Sequence, residues 1–434
     1  MFLKSHPLRD VVLAELHARP FVPIELPRRL LHLAFLTNFE AAEADRQRLS
    51  AFCDAKGQPG PASGSRHHEV SLGDARLRWE QHTEFTTYTW EIARADPSTF
   101  TRDLGSFQPM LTQIAAPGPV LVAMDLHVVP EANEPDLART FDPSSLAGSA
   151  VAEGNAVAAT DFRVGSDGFV RWVLLDRGMT SNQAGALAQR LLEIETYRTF
   201  ALLGLPEAQG LSPNVREIED GLTRIARSMA DSHDLELNSR LLDELTGLAA
   251  ALEADANVAG YRFRATRAYA DIVRQRLEAI GERPIAGLPT IATFLSRRME
   301  PAMRTCQMME ERLSGLSARL ARAANLLRTR VDVEIEHQNR DLLRGMNHRA
   351  IQQLRLQQTV EGLSIAAISY YVVSLVGYVF KGLKDLGATS FDPGAATALS
   401  VPVIVIVVAL MVRRIRRHTE GSDAETAPGR ATPP

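Results

Sequence analysis

"GLSIAAISYYVVSLVGYVF", residues 362–380, runs for nineteen positions without one charged side chain. A helix needs about 20 such residues to cross a hydrocarbon core of about 30 Å. A second and more apolar run, "AATALSVPVIVIVVALMV", follows at 395–412. Its internal Pro402 is tolerated better in a membrane helix than in a soluble one. Two such runs in succession read as a transmembrane hairpin over 362–412 rather than as a pair of buried core helices.

Basic residues set the expected orientation. Arg344, Arg349 and Arg355 precede the first run, and Arg413, Arg414, Arg416 and Arg417 follow the second. The loop between the runs balances Lys381 and Lys384 against Asp385 and Asp392. By the positive-inside rule both termini are cytoplasmic and the protein is multi-pass in a bacterial inner membrane. Arg340, Arg344, Arg349 and Arg355 form a basic collar suited to anionic lipid headgroups. Residues 413–434 read as a basic end followed by a disordered polar tail, "TEGSDAETAPGRATPP".

The rest of the chain has ordinary globular composition, with 23% charged and 45% hydrophobic residues in 434. A net charge of -4 gives no reason to expect nucleic acid. Basic residues are almost all Arg and Ala is abundant, the usage of a GC-rich bacterial genome. Only two cysteines occur, Cys53 and Cys306, so free thiols in a reducing compartment are expected. The first ten residues hold no apolar signal-peptide core, so attachment is expected from elsewhere in the chain.

Residues 1–205 read as a cytosolic α/β domain. "RRLLHLAFL" and "PVLVAMDLHVV" are strand-like, and "NFEAAEADRQRLSAFCDAKG" reads as a helix ending at Gly57. "RHHEVSLGDARLRWEQH" predicts a hairpin turning on Gly73-Asp74, with Leu72 opposite Ala75, Val70 opposite Leu77 and His68 opposite Trp79. On its other face Glu69 meets Arg78 and His67 meets Glu80. That alternation assigns His67, Glu80 and His82 to charge pairs on a wet face, in preference to a metal site that would include His68. "TDFRVGSDGFVRWVLLDRG" predicts a second hairpin, pairing Val164 with Val170 and Phe162 with Trp172. The same register sets Arg163 across from Arg171, where like charges need an acidic neighbour or an anion. In "LAELHARPF", His17 and Arg19 close a helix before Pro20 and are further candidate ligand contacts.

Residues 206–300 read as a helical layer with breaks at Pro206, Pro213, Gly260 and Pro284. Over 301–361 a long stalk helix is expected. Cys306, Met309, Leu313, Leu316, Leu320, Ala323 and Leu327 repeat there at steps of three and four, as in a coiled coil. The seam then loosens through Val331, Ile335, Leu342, Met346 and Leu354. A helix from 302 to 380 would span roughly 120 Å. The seam must bury itself on helices of the same chain, such as 241–252, or on sister subunits of a homo-oligomer. Small and hydroxylated residues on one face of the first run, Ala367, Tyr370, Ser374 and Gly377, fit an interface or a pore lining.

The architecture is therefore an α+β cytosolic domain, a helical layer, a long stalk helix and a C-terminal two-helix transmembrane hairpin. This order resembles that of CorA-type channels, and Gly345-Met346-Asn347 matches the tripeptide at their pore mouth. In those channels the tripeptide follows the first span; here it precedes it by about seventeen residues, and neither span carries an acidic residue. Asn347 stays a candidate pore residue on that resemblance alone. "LHARPF" and "QNRDLLRGMNHRAIQQLRLQQTVEGLSIAAISYYVVSLVGY" resemble a bacterial family of predicted membrane-anchored proteins, domain of unknown function 3422. That resemblance implies membrane attachment and no defined activity. GxSxG, HExxH, CxxC and P-loop motifs are missing, so no catalytic residue and no cofactor is named. The expected function is a membrane-anchored oligomer with a cytosolic ligand- or partner-binding domain, the alternative being a CorA-like cation channel or transporter.

Overall fold

The computed structural model describes residues 22–93, 108–231, 234–385 and 392–423, with His6, Arg9 and Leu13. His17, Arg19 and the tail beyond Asp423 lie outside them. Contacts divide the chain into two units, Met1–Leu327 and Arg328–Pro434.

The first unit is built on a mixed nine-stranded sheet. In chain order the strands are β1 (Arg28–Leu36), β2 (His67–Leu72), β3 (Ala75–Gln81), β4 (Phe85–Ala93), β5 (Val120–Pro130), β6 (Ala147–Val151), β7 (Ala156–Val164), β8 (Val170–Asp176) and β9 (Arg283–Pro284). They lie in the order β2-β3-β4-β1-β5-β8-β7-β6-β9. Every pairing is antiparallel except β5 with β8. β1, "RRLLHLAFL", is apolar on both of its faces, and a strand of that kind needs cover on both sides. Leu31 and Phe35 join Leu77, Trp79 and Trp90 under α1 (Phe39–Ala55), which contributes Leu49 and Cys53. Leu30 joins Met124, Leu126, Trp172 and Leu174 under α2 (Ser181–Leu202).

Local chemistry places these elements. Asn38 caps α1 by accepting from the Ala41 amide at 2.8 Å, and Gly57 leaves it at φ 67°. Thr180 and Gln183 make a capping box at the start of α2. Inside the core, buried Asp45 of α1 accepts from Trp79 Nε1 at 2.8 Å and from the Tyr88 hydroxyl at 2.9 Å. Burial pushes the Asp45 carboxyl up, an effect those two donors oppose. Gly185 lets α2 approach the entering chain, since a Cβ there would meet the Val22 carbonyl oxygen at 2.0 Å.

The first hairpin has the expected register throughout, from His67 with Glu80 to Leu72 with Ala75. Its second face is wet only in part. Glu69 is exposed, whereas Glu80 is 6% exposed, because α2 and a later helix that carries Arg276 cover the sheet there. The second hairpin departs from the expected register. Val164 does face Val170, but Trp172 faces Thr160, so residues 161–163 bulge out of the ladder. The bulge, with Phe162 at φ 55°, stacks the Phe162 ring on Phe294 at 4.9 Å and sets it edge-on to Trp172 at 5.2 Å. It also removes Arg163 from its place opposite Arg171.

Three helices follow: α3 (Gly204–Asp231), α4 (Leu235–Ala279) and α5 (Ile291–Asp385). Pro206, Pro213 and Gly260 break none of them. Pro206 sits in the first turn of α3, where a missing N–H costs little, and packing of the flanking Leu211 and Val215 with α4 and α5 holds the exposed, interior Pro213 in the helix. α5 starts at Ile291, ten residues before the proline at 301, which it contains. The seam from Cys306 to Leu327 is buried against Val215, Leu222 and Ile225 of α3 and Leu241, Leu245 and Phe263 of α4. Of the two expected covers, helices of the same chain supply this one.

In the second unit, residues 328–385 of α5 and α6 (Pro393–Asp423) carry the apolar runs. Both helices are long and apolar enough to cross a membrane. Gly377 lies against Thr397, whose Cγ2 would be 3.4 Å from a Cβ at that position, and Ser369 and Val408 are buried nearby in the chain's own packing. Large apolar side chains elsewhere on both helices are exposed, among them Leu363, Leu375, Val403 and Leu410.

Leu320 is 1% exposed between α3 and α4. Leu320→Ala is expected to cost about 2–5 kcal/mol in urea unfolding of the detergent-solubilised protein. Val258→Ala, on a 71% exposed side chain of α4, is expected to change it by less than about 0.5 kcal/mol.

Candidate functional site

A polar cavity of about 200 Å³ lies between the sheet and helices α2 and α4. His32 of β1, Glu80 of β3 and Phe85, Thr87 and Thr89 of β4 line its sheet side, with His82 from the β3–β4 connection. Gln189, Leu192, Glu193, Thr196 and Tyr197 of α2 and Arg276 of α4 close it from above. The period of two in "FTTYTWEIA" creates this wall: Tyr88 and Trp90 enter the apolar core under α1, so Thr87 and Thr89 face the other way.

The hydrogen bonds fix the state of His32. Thr196 donates its hydroxyl proton to the Leu192 carbonyl at 2.8 Å, so it accepts from His32 Nε2 at 2.9 Å. Nδ1 is then the bare nitrogen and accepts from the Thr89 hydroxyl at 2.8 Å. Burial pushes the His32 pKa down to about 3, against the pull of Glu80. The imidazole is therefore neutral and locked. Glu193 is likewise committed, taking an ion pair from Arg276 and a hydrogen bond from Gln189 Nε2 at 3.1 Å. The Gln189 amide is thereby oriented with its Oε1 away from Glu193, and that oxygen has no protein partner. Nor has Thr87 Oγ1, although Thr87 is only 2% exposed. His82 stacks on Phe85 at 4.1 Å and holds Nε2 3.8 Å from Glu80 Oε2.

The opposite face of the sheet carries a second buried constellation. Arg29 donates through Nε and Nη2 to the two carboxylate oxygens of Asp125, at 2.9 Å each. His127 Nε2 stands 3.1 Å from Asp125 Oδ1, and Arg171 Nε stands 3.8 Å from Oδ2. Burial disfavours the Asp125 charge, yet His127 and Arg29 hold its carboxyl well below the usual range. Its two arginines are matched by Asp125 and Asp167, the latter paired with Arg171. In this network each arginine meets a carboxylate, and Arg29 does so bidentately.

The residues singled out from sequence fall in different places. Arg163 pairs with Asp142 at 2.7 Å on the surface, and Arg171 belongs to the Asp125 network, so acidic neighbours meet both charges. Of the four residues weighed as a metal site, Glu80 and His82 reach the cavity, while His68 bonds the Pro59 carbonyl at 2.9 Å. Among the described residues no group of three His, Cys, Asp or Glu side chains is placed to hold a metal. Asn347, Ala367 and Tyr370 are exposed on α5, and Ser374 spends its hydroxyl on the Tyr370 carbonyl at 2.9 Å. His32, Thr87, Thr89, Gln189 and Thr196 are members of the cavity that sequence reading missed. The available signal was His32 inside an otherwise apolar strand with threonines alternating on a neighbouring one.

A family model described as "Protein of unknown function (DUF3422)" matches residues 4–419, nearly the whole chain, and the protein belongs to that family. A search of curated proteins finds no match.

The locked His32 has a pH consequence. Unfolded, it takes a proton near its ordinary value of 6.5; folded, it stays neutral to about 3. Acid therefore favours the unfolded chain between those values, by up to several kcal/mol on the order of one per pH unit. Asp125, with an ordinary value of 3.8 and a lowered native one, acts only further into acid. His32→Asn should give a flatter stability curve than wild type between pH 6.5 and 3.8, read by urea unfolding. Equal slopes would contradict the assignment.

Proposed function

We propose that this family member is an inner-membrane protein, anchored by the two apolar helices with both termini in the cytoplasm. Its body binds a small polar ligand in the cavity between the sheet and α2. It self-associates through the stretch of α5 that follows the seam. The observation that carries this reading is the change along one helix at Leu327. Up to that residue the seam positions Cys306, Met309, Leu313, Leu316, Leu320 and Leu327 are buried against α3 and α4. Beyond it Leu342, Leu343, Met346, Leu354 and Leu356 are all more than half exposed.

Two covers suit the two parts of that bare surface. Over 362–380 and 395–412 the surface carries no charged side chain, which suits lipid. Over 328–361 apolar positions alternate with charges, including the Arg340–Glu336 and Arg344–Asp341 pairs, which suits another helix of the same kind. The basic collar divides accordingly. Arg355 and Arg349 stand about 10 and 20 Å of helical rise before the first span, within reach of anionic headgroups. Arg340 and Arg344 stand roughly 30 Å before it, beyond a Debye length.

A reporter fused after residue 412 should be active in the cytoplasm and inactive in the periplasm; the reverse result sinks the topology. The detergent-solubilised protein should scatter light as an oligomer, and a Leu342→Glu, Met346→Glu double variant should shift it toward monomer. A monomeric wild type would remove self-association from the reading.

A further inference from the structure

We propose that one face of the first apolar run, carrying Tyr370, Tyr371 and Ser374, is the contact at which sister copies of this chain meet inside the bilayer. This rests on reading the two runs as membrane spans and α5 as the self-associating element, and it names the face and the chemistry of the contact.

The run 362–380 presents three kinds of surface, since successive side chains of a helix point about 100° apart. One faces α6: Gly377 lies against Thr397, Ser369 is buried, and Val372, Val373 and Val376 are half-buried. A second holds Ile368, Leu375 and Val379, all exposed and all apolar, which suits lipid chains. The third gathers Ala367, Tyr370, Tyr371, Ser374 and Tyr378 within an arc of about 100°. Gly377, grouped with Tyr370 and Ser374 by spacing, belongs to the first surface.

That third surface does not suit lipid. Tyr378 stands about 3 Å of helical rise from the end of the run, where tyrosines commonly settle at the membrane interface. Tyr370 and Tyr371 stand roughly 12–15 Å from either end, in mid-bilayer. They are 71% and 70% exposed. Lipid tails offer a hydroxyl no hydrogen-bond partner, and leaving it unmet there is costly. α6 does not serve them. It packs on the Gly377 side, and its hydroxyls, Thr397 and Ser400, already donate to carbonyls of their own helix at 2.7 Å each.

A second copy does serve them. Copies anchored with the same topology in one membrane run parallel, which brings Tyr370, Tyr371 and Ser374 of each to the same depth. Ser374 gives its proton to the Tyr370 carbonyl at 2.9 Å, so its oxygen is left to accept from a tyrosine hydroxyl of the neighbour. Ala367, two turns before Ser374, lets the paired helices approach closely. The contact is continuous along α5 with the stretch 328–361, which the same reading pairs between copies.

Oxidative cross-linking of the full-length protein in native membranes tests this with four single-cysteine changes. Cys53 and Cys306 are buried, so the wild type is the control without linkage. Ala367→Cys and Ser374→Cys should form disulfide-linked dimers at least about tenfold faster than Ile368→Cys and Leu375→Cys on the lipid surface. Adding Tyr370→Phe and Tyr371→Phe, which removes the hydroxyls and keeps the rings, should slow linkage of Ala367→Cys by about three- to tenfold. Equal rates at the four positions, or faster linkage at the two lipid-facing ones, would overturn the proposal. Linkage of Ala367→Cys that the double Phe change leaves untouched would overturn it too. No linkage at any position would do the same, and light scattering would then separate the two readings: an oligomeric wild type keeps self-association through 328–361, and a monomeric one removes both.

Discussion

Burial of apolar surface on α5 is the constraint on which the architecture depends. One helix of 95 residues presents leucines and methionines far beyond the length its neighbours can cover. α3 and α4 meet that demand through Leu327, where the first compact unit ends. After it the same chemistry continues, and Leu342, Leu343, Met346, Leu354 and Leu356 are more than half exposed. Exposed apolar surface on that scale marks an interaction surface, and its character changes along the helix from mixed to wholly apolar. Seen this way, the helical layer supplies the intrachain share of cover for one long element.

The sheet obeys a related rule with a different result. Its central strands are covered on both faces, by α1 on one side and α2 on the other. Toward the β2–β3–β4 edge the face beneath α2 turns polar, with Thr87, Thr89, Glu80 and His32 where the central strands carry leucine and methionine. Because α2 and α4 still cover that region, the polar groups are removed from bulk water. Most are satisfied by one another, as His32 is by two threonines. Two oxygens are not. On the opposite face the Asp125 network shows the contrasting outcome, a buried cluster in which each arginine meets a carboxylate.

Much of this was legible in the sequence wherever a local period decides the structure. The strand "RRLLHLAFL", the helix ending at Gly57, the first hairpin's register and the α5 seam each follow from spacing and turn chemistry within one element. What escaped depended on cover from distant elements. Glu80 reads as solvent-facing because alternation shows which residues share a face, not whether a helix a hundred residues on will lie over it. Pro213 reads as a break because propensity is local, whereas packing of the flanking Leu211 and Val215 with α4 and α5 holds it within α3. The bulge at 161–163 arises from the burial of Phe162 against Phe294, again a partner beyond any local window. The cavity combines β1, β3, β4, α2 and α4, and no single segment announces it.

The most direct test of the account is alkaline extraction of membranes from cells expressing the full-length chain, beside a chain ending after residue 361. The account predicts that the full-length protein stays in the membrane pellet and that the shortened chain is released to the supernatant. Release of the full-length protein by alkali would contradict it, since the two apolar helices would then be covered by protein and not by lipid.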